Sequence, residues 1–186
     1  MDGMQRNRLT RALVVLGLLA SIVSAAGDAA AKAKKQAKRR PSTAAERTAA
    51  ATAARELELD PLGPDAEARR KVAMVVLEAP DILVPLCANA LAPFANEKAQ
   101  HHALLLQQML FSTMAFMIEQ PERASDLQAG YVAGLLGALK AYEKMREVEP
   151  AARSPFLERM LDLQKRGTLE AFYRKATAPC VPAPAP

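Results

Sequence analysis

Cysteine is almost missing from this chain: two residues in 186, Cys87 and Cys180. A zinc ribbon and a Cys-x-x-Cys redox site are therefore excluded. Histidine is as scarce. His101 and His102 are neighbours, so on a helix they point about 100° apart and cannot close on one metal. Glu97 and His101, at i and i+4, would supply two ligands where a structural zinc needs four. There is no Gly-x-Ser-x-Gly elbow and no phosphate-binding glycine loop. No segment alternates in the manner of a strand rich in Val, Ile or Thr, so no sheet is expected. Neither a metal nor a cofactor is expected, and nothing in the residue pattern supports an enzyme.

What the chain does have begins at its N-terminus. Arg6, Arg8 and Arg11 precede an uncharged apolar run from Ala12 to Ala26. Small residues follow, with Val23-Ser24-Ala25 placed for a cut after Ala25 and Ser24-Ala25-Ala26 for a cut one residue later. This is the layout of a secretory signal peptide over residues 1–25. The apolar run is about 15 residues, whereas a spanning helix needs roughly 20. The expectation is export to a periplasm or the exterior, with no membrane span in the mature chain. The alternative is an uncleaved N-terminal anchor. Lys32, Lys34, Lys35, Lys38, Arg39 and Arg40 favour it, because cations just after an apolar run resist translocation.

The charge is unevenly placed. The whole chain carries 25 Lys and Arg against 20 Asp and Glu, but from Pro61 onward the count is 14 against 14. The surplus therefore belongs to the N-terminal segments, and the remainder is not the uniformly basic surface of a nucleic-acid-binding domain. Residues 26–60 are dominated by Ala, Lys, Arg and Thr. They hold too little apolar bulk to offset their ordering entropy and read as a low-complexity tail. Its second half suits a helix, with Thr43 and Glu46 as a capping box, but that helix has little to pack on. Pro61-Leu-Gly-Pro64 reads as a break.

Residues 61–178 read as the folded domain: all-α, a single compact bundle of four to five helices. Asp65 to Glu78 has helical spacing and ends at Pro80. Asp81 to Leu91 reads as a short apolar helix with Pro85 near its start, closed by Pro93. The next helix runs uncharged from Ala99 to Ile118. His101, Gln108, Ser112 and Glu119 recur on it as one polar stripe, which argues for a core helix over a membrane span. Ser125 and Gln128 offer a capping box for a helix reaching nearly to Pro150. Ser154 followed by Pro155 starts the last one, which Gly167 interrupts. Residues 179–186 form a Pro-rich tail suited to polyproline conformation.

Three further features carry expectations. Gly130, Gly134, Gly137 and Ala141 make a ridge of small residues, which calls for close approach of another backbone. That backbone is either a neighbouring helix or a second copy, so a homodimer stays open. Met109, Met114 and Met117 lie among Leu and Phe and read as core filling. In an oxidising compartment Cys87 and Cys180 are expected to bridge. The functional expectation is a non-catalytic interaction or scaffold protein, partnered by an unknown protein or by an anionic envelope surface. The alternative is a small helical enzyme or ligand-binding protein, recognisable by a pocket where His101, His102 or Asp126 converge.

Overall fold

The computed structural model describes residues 40–95 and 100–182. The leader, the cations Lys32, Lys34, Lys35, Lys38 and Arg39, and Glu97 lie outside the described residues. The described residues from Pro41 onward form one compact unit. The described residues are all-α, but the expected four to five helices are seven: α1 Ala44–Leu59, α2 Ala66–Leu77, α3 Ala88–Ala95, α4 His102–Glu119, α5 Leu127–Val148, α6 Pro155–Lys165 and α7 Leu169–Thr177. Single 3-10 turns lie at Pro121–Arg123 and Ala178–Cys180. None of the described helices is long and apolar enough to cross a membrane.

One correction and one expected break account for the count. The correction is α1, which belongs to the core rather than to a tail, so the folded unit begins at Pro41 and not at Pro61. Thr43 and Glu46 cap its start reciprocally, as their spacing predicts. Ala50 and Ala54 are fully buried, and Leu57 is buried beside them. Alanine offers little bulk to bury, but it lets backbones approach closely. α1 therefore packs against both α2 and α4. The break is at Gly167, which takes the left-handed conformation (φ 69°) and splits the last helix into α6 and α7, as the sequence suggests.

α4 lies between two apolar clusters. One joins α1, α2 and α4 through Leu57, Val76, Phe111 and Met114. The other joins α3 to α7 through Phe94, Leu105, Leu139, Tyr142, Met160 and Tyr173. A helix covered on both sides can be uncharged all round without entering a membrane. Its start differs from expectation: His101, in left-handed conformation, precedes His102 as the first helical residue. α5, paired along α4, is capped by Asp126, whose side chain accepts from the Ala129 amide; Ser125 does not take that role. Ser154 and Pro155 start α6 as predicted.

The expected helix over residues 81–91 is also corrected. Residues 82–87 are a strap with neither helix nor turn, and the helix begins only at Ala88. Pro85 disfavours helical geometry at Val84, so no helix starts until the chain has passed the proline. Cys87 and Cys180 form the expected disulfide, with Cα atoms 5.6 Å apart. Closing a loop across a sequence separation of 93 residues stabilises a fold by up to about 4.5 kcal/mol in the chain-entropy model. It pins the segment after α7, and Val181 packs on the core beside it.

Candidate functional site

Polar groups in the interior concentrate where α1, α4 and α5 meet. Glu58, near the end of α1, is 2% exposed. It continues the buried stripe of Ala50 and Ala54 at steps of four. Ser112 Oγ donates to Glu58 Oε1 at 2.8 Å. Gln108 Nε2 donates to Ser112 Oγ and to the Ala54 carbonyl, both at 3.0 Å. Lys140 Nζ, from α5, reaches Glu58 Oε2 at 3.2 Å, and the Arg55 guanidinium binds Oε1. Arg55 Nη2 also meets Glu119 Oε2 at 2.6 Å. Burial alone lowers the Arg55 pKa, but the Glu119 hydrogen bond and the two carboxylate charges outweigh it, and the guanidinium is held above its ordinary value.

Gln108 and Ser112 of the polar stripe on α4 thus face α1 and serve as the receptor for a buried carboxylate. A serine bonded to a carboxylate is also the beginning of a nucleophile–base pair. The packing here leaves no room for a substrate. Ser112 is fully buried, and the Gly137 backbone presses against both Ser112 and Glu58. A Cβ at Gly137 would overlap Ser112 Oγ and Glu58 Oε1, and one at Gly134 would overlap Thr113 Oγ1 and stand 2.8 Å from the Met109 carbonyl oxygen. The arrangement is a brace across three helices. It also settles the small-residue ridge, whose glycines face α4 of the same chain and are not free to form a dimer seam.

The other residues singled out in the sequence do not gather. His101 Nε2 lies 2.8 Å from Glu149 Oε2, past the C-terminal end of α5, and Gln100 Nε2 donates to the same oxygen at 2.6 Å. Asp126 caps the opposite end of α5, roughly 30 Å away along a helix of this length. Met109 and Met114 are buried core residues. Among the described residues no group of three or more His, Cys, Asp or Glu side chains could hold a metal.

Concavities among the described residues include three of about 340 to 420 Å³. One lies between α2 and α4, with Arg70, Met74 and Gln107 in its wall. The other two flank Leu59, one toward Lys144 and Val148, the other toward Arg55 and Glu119. None is lined by histidine, cysteine or serine.

A second polar clamp joins α5 to α6. Tyr142 Oη accepts from the Ser154 amide at 2.9 Å and donates to Glu158 Oε1 at 2.7 Å, which Arg146 also contacts at 2.7 Å. Burial pushes the Tyr142 hydroxyl up to about 12, and burial raises Tyr131 and Tyr173 as well. These are all three tyrosines of the chain. An acid whose folded pKa is raised favours the fold below its unfolded pKa of about 10 and withdraws that support above it. The Tyr142 hydroxyl should therefore stay protonated in the native protein through pH 10, and thermal stability should fall between about pH 10 and 12. Loss of the Tyr142 proton near pH 10 in the folded protein, assigned by comparison with Tyr142→Phe, would contradict this clamp.

No family model, curated protein or solved structure matches this chain.

Missed in the sequence were Glu58 and the strap. A signal for Glu58 existed. Its step of four from Ala50 and Ala54 put it on the stripe that α1 buries, and Gln108 and Ser112 formed a polar stripe with no partner assigned.

Proposed function

We propose that this chain is an exported helical interaction module, held at the anionic surface of a cell envelope and without a catalytic role of its own. The observation that carries the reading is the segregation of charge. Six cations occupy Lys32 to Arg40, directly after an Arg-rich apolar leader, while the chain from Pro61 onward is balanced. Each Lys or Arg close to an anionic membrane surface contributes about 1 kcal/mol, so such a cluster suffices for reversible retention there. The interior supports a non-catalytic role. Glu58 and Ser112, which have the chemistry for acid–base or nucleophilic work, are consumed in bracing helices.

Cell fractionation tests the proposal. The protein should pellet with the envelope at low ionic strength and be released near 1 M salt, where screening shortens electrostatic reach to about 3 Å. Neutralising Lys32, Lys34, Lys35, Lys38, Arg39 and Arg40 together should abolish that retention. Recovery in the cytoplasmic supernatant at low salt would overturn the reading.

A further inference from the structure

α3 is short and lightly held. It has eight residues and no charge, and it packs on α4 and α7. A helix of that length is marginal by itself and depends on what it packs against. The strap before it gives little support. No backbone hydrogen bond among the described residues involves residues 82–86. Ile82 and Val84 settle on the α1–α2–α4 cluster, but Leu86, next to the bridge, is 67% exposed. Segments with few hydrogen bonds and little burial open first.

Three ties fasten α3 to the C-terminal segment. Tyr173 Oη donates to the Ala90 carbonyl at 3.5 Å, which is long for a hydrogen bond. Asn89 Nδ2 donates to the Ala176 carbonyl at 3.3 Å, on the surface. The strongest of the three is the Cys87–Cys180 bridge. Beneath the helix Phe94 is buried, its ring edge-on to Phe156 at 5.4 Å. The two bridged cysteines are unequally placed. Cys87 is 1% exposed, whereas Cys180 is half-buried in its 3-10 turn, beside the exposed Ala178 and Pro179. A thiolate arriving from solvent therefore meets the bridge from the Cys180 side. The brace of α1, α4 and α5 uses none of these residues.

We propose that the Cys87–Cys180 bridge is a redox latch that holds α3 shut over an apolar face. Its reactant is a dithiol. One thiolate of the dithiol attacks Cys180 Sγ, the bond between the two cysteine sulfurs breaks, and Cys87 leaves with the electron pair and takes a proton. The second thiolate then attacks the dithiol's own sulfur in the mixed disulfide, and Cys180 leaves and takes a proton in turn. The protein has gained two electrons and two protons, and the dithiol has become a disulfide. α3 then parts from α7 and uncovers Phe156 and Tyr173, while the brace keeps α1, α4 and α5 together. The inference goes beyond the envelope reading and does not rest on it.

Hydrogen exchange of the full oxidised chain, read by mass spectrometry, tests the latch with dithiothreitol as the dithiol. On reduction the amides of residues 88–95 should exchange at least about tenfold faster, while those of α1, α4 and α5 keep their protection. Re-oxidation should restore the original rates. The hydrophobic dye bis-ANS should bind the reduced chain and not the oxidised one. Cys180→Ser should behave as the reduced chain does and ignore dithiothreitol. Glutathione, a monothiol, should be found on Cys180 when exchange is stopped with acid. Faster exchange in all helices together would make the bridge a staple of the whole fold, and unchanged rates would make it dispensable. Either result overturns the latch. Glutathione on Cys87 would overturn the direction of attack.

Discussion

Glu58→Ala is expected to lower folding stability by about 3 kcal/mol. Removing one member of a buried, hydrogen-bonded ion pair typically costs about 3–5 kcal/mol, because its partners lose their compensation. The low end applies here, since Arg55 and Lys140 are 34% and 58% exposed and can turn to water. Ser112 cannot. Its hydroxyl, fully buried, would lose its acceptor, and Gln108 would be left holding a misaligned partner. For a folded unit of this size the loss corresponds to a melting temperature lower by roughly 10 °C. Glu58→Gln keeps an acceptor for Ser112 and should cost less than half as much. Differential scanning calorimetry of the two variants separates the buried geometry from the charge. Equal effects would mean that the charge alone matters.

Gly137→Ala is the second large effect, and its sign is the informative part. Inside a helix alanine is better than glycine by about 1 kcal/mol, so an open position would gain stability. At Gly137 the added methyl meets Ser112 Oγ and Glu58 Oε1. Overpacking costs about 1–3 kcal/mol, and displacing the Ser112–Glu58 bond adds to it. The net expectation is a loss of about 2 kcal/mol. Gly130→Ala is the control. Its methyl would find Thr113 Cγ2 at 3.5 Å, an ordinary contact, so it should be neutral or slightly stabilising. Stabilisation by both variants would show that α4 and α5 do not approach as closely as the brace requires.

These two residues also mark what was legible in the sequence. Local signals read well where a single residue determines backbone geometry. Thr43 with Glu46, Ser154 with Pro155 and Gly167 each did what their chemistry implies. The cysteine pair was legible from scarcity and context. The weight of α1 was not, because alanine scores low on bulk while its value lies in how near it lets another helix come. Glu58 was hidden for a related reason. A lone acid at the end of an alanine-rich helix looks solvated until its partners on α4 and α5 are placed. The strap was misread because Leu83, Val84 and Leu86 are apolar in both readings, and only Pro85 told against a helix.

On the proposed reading a cleaved leader would deliver the chain to an oxidising envelope, where the Cys87–Cys180 bridge would form and the basic segment would hold it. Intact mass spectrometry of the native protein, purified without reductant, tests both halves at once. The predicted result is a chain starting at Ala26 or Gly27, lighter than its reduced form by two hydrogens, with no thiol reacting after denaturation. An intact Met1 terminus with two reactive thiols per chain would contradict it.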